Sequence, residues 1–310
     1  MSRDIVISEV GPRDGLQSIQ SIMATDDKKA WIRDQFYAGT PEIEVGSFVP
    51  PKLLPQLADT ADLVAWAGSE LDGLVVAVLA PNRKGLENAV AAGAHKVTIP
   101  FSMSETHSIR NVRKSHAEML EEIRCCATFL DALADDDRPK FDVALATAFG
   151  CTIEGPVPED RVVRLAASAV ELGADEVVLA DTTGYGNPAQ LKRLAGKIWA
   201  ACGEDRLTRV HLHNTRGQGL ANVLMAVEIG MTTIDSSLGG IGGCPFAPGA
   251  SGNIVTEDLV WLLESMGLDT GIDLERLLAV RERVQQALPG EALHGFVGSA
   301  GLPKGFRSGA

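Results

Sequence analysis

His211 and His213 stand one residue apart at the end of a short apolar run, Arg209–His213. On a strand that spacing turns both imidazoles to one face, so two nitrogen ligands could share a metal ion. Asp14 and an amide oxygen from the loop after the next strand would complete a mixed N/O set suited to Mg²⁺, Mn²⁺ or Zn²⁺. An H-x-H pair alone equally describes two strand-end side chains with local hydrogen bonds. Arg13-Asp14, set between Gly11 and Gly15, is either a surface ion pair worth little or a cation and an anion turned to the mouth of the fold. Glu44 falls inside an apolar strand, where its charge is costly unless Arg13 or the metal faces it. Cys244, in Gly242-Gly243-Cys244-Pro245, is either a small buried hydrophobe or a loop thiol able to act as acid or base.

These residues need a frame that brings distant parts of the chain to one place. Short β-branched runs give strands at Ile5–Val10, Ile43–Phe48, Leu74–Leu79, Lys96–Phe101, Asp142–Ala146, Glu176–Ala180, Arg209–His213 and Thr233–Leu238. Between them, Asp27–Ala38, Asn111–Leu133, Glu159–Leu172, Pro188–Ala200 and Gln218–Ile229 have the length and apolar spacing of amphipathic helices. Ala92-Gly93, Leu172-Gly173 and Ile229-Gly230 mark helix-to-strand corners. Eight such units in series predict an α/β fold, a (β/α)₈ TIM barrel, whose catalytic groups sit at the C-terminal ends of the strands. The candidates cluster there: Arg13, Asp14 and Gln17 after the first strand, Glu44 on the second, Asp181 after the sixth and the histidines on the seventh. The expected organisation is a barrel over residues 1–287, including a Gly-rich loop at 239–253 and capping helices within 256–287, then an irregular tail over 288–310.

Composition bounds the partners. A formal charge of −13 over 310 residues disfavours nucleic acid and anionic membrane surfaces. No apolar run has the length of a membrane span, and no signal-peptide pattern opens the chain. Five cysteines without a C-x-x-C pair read as thiols of a reducing compartment, so a cytoplasmic location is expected. Gly239–Gly243 lacks the G-x-G-x-x-G and Walker contexts of nucleotide loops.

Over nearly its whole length the sequence resembles the 3-hydroxy-3-methylglutaryl-CoA lyase family of metal-dependent TIM-barrel acyl-CoA lyases. The likeness is carried by EVGPRDGLQ (Glu9–Gln17), IEVGSFVPPK (Ile43–Lys52), NRKGLENAVAAGA (Asn82–Ala94), AFGC (Ala148–Cys151), ADTTGYGNP (Ala180–Pro188), HLHNTRGQGLANVLMA (His211–Ala226) and, above all, IDSSLGGIGGCPFAPGASGNIVTEDLV (Ile234–Val260). The resemblance implies metal ligation by Asp14, His211, His213 and Asn253. It assigns Arg13 to the thioester carbonyl and its enolate, and Cys244 to acid/base chemistry. Glu44, Asp181 and Gln17 take supporting roles at the metal and the substrate. The implied reaction is retro-Claisen cleavage of 3-hydroxy-3-methylglutaryl-CoA to acetyl-CoA and acetoacetate with Mg²⁺ or Mn²⁺, Zn²⁺ being a further option. The family is often dimeric, and the apolar C-terminal helices offer a surface for a homodimer.

Departures bear on the substrate. The family's His-x-His-Asp-Thr reads His211-Leu212-His213-Asn214-Thr215-Arg216 here, its Asn-Ile-Asn reads Asn111-Val112-Arg113, and its Cys-Pro-Tyr reads Cys151-Thr152-Ile153. The tail Gly301–Phe306 also differs. Alternatives of the same mechanism are a citramalyl-CoA or a longer 3-hydroxy-3-alkylglutaryl-CoA. A condensing acyltransferase is disfavoured by the Gly-Gly-Cys-Pro loop, and a silent metal-binding scaffold by the retention of the whole residue set.

Overall fold

The computed structural model describes residues 3–242 and 252–306. Eight parallel strands, β1 Val6–Glu9, β2 Glu42–Ser47, β3 Val75–Leu79, β4 Lys96–Ser102, β5 Lys140–Ala146, β6 Glu176–Asp181, β7 Arg209–Leu212 and β8 Thr233–Ser236, pair in sequence order. The ring closes where β1 pairs β8 from Val6↔Thr233 to Glu9↔Ser236. The expected TIM barrel is the fold observed. The crossovers are α1 Thr25–Tyr37, α2 Thr60–Glu70, α3 Arg83–Ala92, α4 Glu105–Val112, α5 His116–Leu130, α6 Glu159–Glu171, α7 Pro188–Cys202 and α8 Gly219–Glu228. After β8 come α9 Thr256–Ser265, α10 Leu274–Ala287 and the short α11 Val297–Ala300. Among the described residues no helix is long and apolar enough to cross a membrane.

The helix expected over Asn111–Leu133 starts later, as α5 at His116, and a separate helix, α4, precedes it. Arg113 takes a left-handed conformation, φ 59°, and ends α4. Ser115 then caps α5 with a reciprocal Ser115–Glu118 capping box, which satisfies two donors left free at a helix start.

Strand alternation sorts the side chains. Outward positions such as Ile43, Val76, Ile99, Leu179 and Val210 are buried against the helices and supply the apolar burial that holds the two layers together. Inward positions at the N-terminal end are ionic. Arg209 donates from Nε to Asp235 (2.6 Å), from Nη1 to Glu42 and from Nη2 to Ser8 Oγ (2.8 Å). Lys96 Nζ donates to Glu42 Oε2 at 2.5 Å, and Lys140 pairs with Glu176. A closed barrel admits little water to its floor, so each interior charge needs its partner there.

Asp142 is the exception. It is buried, neither carboxylate oxygen has a hydrogen-bond partner, and Lys96, Lys140 and Arg209 come no closer than 3.9 Å. Burial pushes its pKa up to about 6 against the pull of those cations. Protonated, it leaves Lys96, Lys140 and Arg209 balanced by Glu42, Glu176 and Asp235. A folded pKa above the unfolded value gives stability that is fully present below about pH 4 and lost as pH rises through about 6. Asp142→Asn is expected to match the parent at pH 4 and exceed it at pH 8 in urea unfolding. Equal destabilisation at both pH values would contradict a protonated Asp142.

Candidate metal centre

The chain leaves β1 through one turn of π-type helix, Gly11–Gly15, in which Leu16 N–H bonds to Gly11 O and Pro12 occupies the first turn. Such turns recur at functional sites because they re-aim side chains. Gly11 is required: a Cβ there would lie 2.5 Å from Glu9 Oε1 and 2.8 Å from the Trp31 ring. Glu9 itself anchors this end of the barrel. Its carboxylate accepts from Gly11 N, Leu238 N, Gln35 Nε2 and Thr256 Oγ1 at 2.8–3.0 Å, joining the loop after β1 to the loop after β8.

The turn places Arg13 and Asp14 over the barrel mouth. Arg13 is buried, donating from Nε to Glu44 Oε2 and from Nη1 to Asp14 Oδ1, both at 2.6 Å. Gln17 Nε2 also reaches Asp14 Oδ1 at 2.7 Å, and Asn253 Nδ2 reaches Asp14 Oδ2 at 2.6 Å. Burial opposes ionisation of Asp14, yet the Arg13 guanidinium and the two histidines hold its carboxyl well below the ordinary range.

His211 and His213 do share a face. Their Nε2 atoms lie 3.1 Å apart, and His211 Nε2 is 3.9 Å from Asp14 Oδ2. Ligand atoms of Asp14, His211 and His213 all fall within 4.8 Å of one another. Two ring nitrogens this close need a proton or a cation between them. Burial, with His211 beside it, pushes His213 down to about 4, so the ring is a neutral donor of its lone pair. Asn253, brought back to β7 by a backbone bridge with His213, has a buried Oδ1 with no partner. Its O and N positions are related by a half-turn of the amide. An orphaned amide oxygen, two facing imidazoles and an ionised carboxylate fit a divalent cation of the Mg²⁺, Mn²⁺ or Zn²⁺ type.

Asp235 has a part that the sequence reading did not give it. Its Oδ2 lies 3.0 Å from His211 Nδ1, while Oδ1 is held by Arg209. The carboxylate accepts from Nδ1–H and leaves the Nε2 lone pair free, the arrangement that orients histidine at metal sites. Burial disfavours charge on His211, and Asp235 more than offsets it. The signal in the sequence was the alternation Arg209, His211, His213 on one strand, opposite an acid in the middle of the next.

Asp181 is not brought to this cluster. Its oxygens accept from Tyr185 N at 2.9 Å and Gly186 N at 3.0 Å, so it closes its own β6–α7 loop. Burial lifts its pKa to about 6 against those bonds. Cys244 lies outside the described residues. Gly242, at φ 116°, packs where a Cβ would sit 2.5 Å from Asn253 Nδ2, so this glycine lies directly against Asn253.

The HMGL-like family model matches residues 4–284. The chain belongs to that family. It is 39% identical to the hydroxymethylglutaryl-CoA lyase of Bacillus subtilis over 305 residues, covering 96% of this chain and 99% of the relative. It is also 39% identical to the (R)-citramalyl-CoA lyase of Chloroflexus aurantiacus over 306 residues, 96% of this chain and 95% of the relative. The structure of an HMG-CoA lyase from Acinetobacter baumannii with coenzyme A and 3-methylmalate superposes with a TM-score of 0.89 at 38% identity, covering 98% of this chain and 97% of that one.

Asp235→Asn would turn an amide toward His211 and unsettle its tautomer. Divalent-metal affinity, measured by titration calorimetry, is expected to fall by about 10–100-fold with secondary structure intact by circular dichroism. Unchanged affinity would deny Asp235 this part.

Proposed function

We propose that this chain is a divalent-metal-dependent carbon–carbon lyase that cleaves 3-hydroxy-3-methylglutaryl-CoA to acetyl-CoA and acetoacetate. The observation that carries the reading is the Asp14–His211–His213 cluster with the Arg13 guanidinium bonded directly to Asp14. Asp14, His211, His213 and Asn253 are proposed to hold the metal, Mg²⁺ or Mn²⁺ for choice. Bound there, the ion would supply a Lewis acid that lowers the pKa of the substrate's 3-hydroxyl.

The protein's groups then have separate tasks. Glu44, raised in proton affinity by burial and steadied by Arg13 through Oε2, is the carboxylate proposed to take the 3-hydroxyl proton. As that oxygen becomes a ketone, the C2–C3 bond breaks and its electron pair passes into the thioester enolate. Arg13, its plane fixed by Glu44 and Asp14, offers Nη2 to the enolate oxygen, a preorganised donor of the kind worth about 3–4 kcal/mol. Cys244 is proposed to protonate C2 and release acetyl-CoA. Gln17 steadies Asp14, and Asp181 keeps the β6–α7 loop in place. The citramalyl-CoA lyase relative, equal in identity, favours a second reading in which the same mechanism acts on citramalyl-CoA.

Purified protein treated with EDTA and reloaded with Mg²⁺ or Mn²⁺ is expected to release acetyl-CoA from 3-hydroxy-3-methylglutaryl-CoA faster than from citramalyl-CoA. The reverse order would establish the second reading, and no release from either would reject the lyase. Arg13→Lys, which loses the planar fork, is expected to lower kcat by about 100–1,000-fold while metal binding persists. His213→Ala is expected to abolish both metal binding and turnover.

A further inference from the structure

In an eight-strand ring the wall opposite β8 is β4. Asp14 follows β1 and the histidines belong to the end of β7, the two strands that flank β8. The cluster therefore lies on the β8 side and faces β4 across the barrel. Interior positions of that far wall carry short side chains, Thr98 and Pro100 on β4 and Ala144 and Ala146 on β5, all half-buried. With the floor sealed by the Arg209 network, partly exposed interior side chains border open space at the mouth.

Above them Ser102 ends β4 on the same inward parity as Lys96, and its hydroxyl lies 2.7 Å from His107 Nδ1. Ser102 is buried and His107 half-buried. The helix α4 fixes the ring's place, because Ser104 Oγ accepts from His107 N at 3.2 Å and starts the helix there. Partial burial lowers the imidazole's pKa and keeps it neutral. With Nδ1 engaged by Ser102, the ring offers Nε2. Neither residue has a task in the metal cluster or in the proton transfers above.

We infer that the Ser102–His107 pair recognises the fourth substituent on C3 of the acyl group and so sets which 3-hydroxy-acyl-CoA this chain accepts. The inference rests on the lyase reading and deepens it. C3 is tetrahedral: its hydroxyl and carboxyl-bearing arm are drawn to the metal side and its C2 arm leads to Arg13. The remaining substituent is directed away from the metal, toward β4. A methyl group fits against the short side chains of that wall. A longer apolar chain would cover the pair and strip water from Nε2 with no hydrogen bond in return, and a site built for hydrogen bonding rejects a ligand that cannot make one. The pair thus selects a small or polar-tipped C3 substituent.

The test compares 3-hydroxy-3-methylglutaryl-CoA with its 3-butyl analogue on the metal-loaded protein. In His107→Leu the butyl-to-methyl ratio of kcat/KM is expected to rise about tenfold. Ser102→Ala moves it the same way by less, and His107→Gln, which keeps a donor and an acceptor, stays near the parent ratio. An unchanged ratio in His107→Leu, or an equal loss on both thioesters, overturns the inference, since either places His107 against the shared CoA arm or in packing alone. A parent protein that cleaves neither thioester rejects the 3-hydroxy-3-methylglutaryl-CoA reading on which the inference rests, and the inference with it. Calorimetric titration of the two free hydroxy acids into Mg²⁺-loaded parent and His107→Leu then decides the contact: a shifted affinity ratio supports it, and an unmoved one ends it.

Discussion

The guanidinium of Arg209 is the contact on which the interior of this barrel depends. Buried among Glu42, Asp235 and Ser8, it neutralises acids that a sealed floor could not otherwise hold, and removing one partner of such a set costs about 3–5 kcal/mol. Its second consequence is directional. By fixing Asp235 through one oxygen it leaves the other for His211, so the charge balance of the floor also determines which ring nitrogen faces the mouth. Fold stability and the orientation of the His211 ring share one pair of carboxylate oxygens.

The mouth repeats this economy with the opposite emphasis. Arg13 is wedged between Glu44 and Asp14, and Asp14 collects donors from Gln17 and Asn253 as well. Two donors from its own turn and one from a segment 239 residues away converge on that carboxylate. The convergence keeps Asp14 ionised despite burial, as its proposed part in metal binding requires. A chain with a net charge of −13 thereby concentrates Arg13 where an anionic thioester would arrive.

Much of this was legible in the sequence because two periodicities coexist in it. Alternation gave the eight strands to within two residues at most ends, and the polar residues at their C-terminal ends marked the mouth. What the sequence concealed depends on closure. Asp235 meets Arg209 and His211 only once β7 and β8 lie side by side, so it read as one more polar residue in a strand. Asp181, like Asp14, is an acid at a strand end, but the amides of its own loop claim it, and residue type alone does not separate the two. The break at Arg113 carried a sign, Ser115 three residues before Glu118, that apolar spacing outweighed. The Ser102–His107 contact arises from a strand end and a helix turn that spacing rules treat separately.

The segment beyond α10 is fastened to the entrance of the Gly-rich stretch. His294 N donates to Gly239 O at 2.7 Å, Arg281 bridges Glu257 and the His294 carbonyl, and Asp258 receives the amides of Phe296 and Val297. Glu257 also holds Gly239 N. Tail and loop entrance form one linkage that comes up to Asn253: a Cβ at Gly240 would lie 3.4 Å from Asn253 O and 3.5 Å from His294 Cβ. A strain placed on the segment at 294–297 is thereby handed through hydrogen bonds to Gly239, the first residue of the Gly-rich stretch.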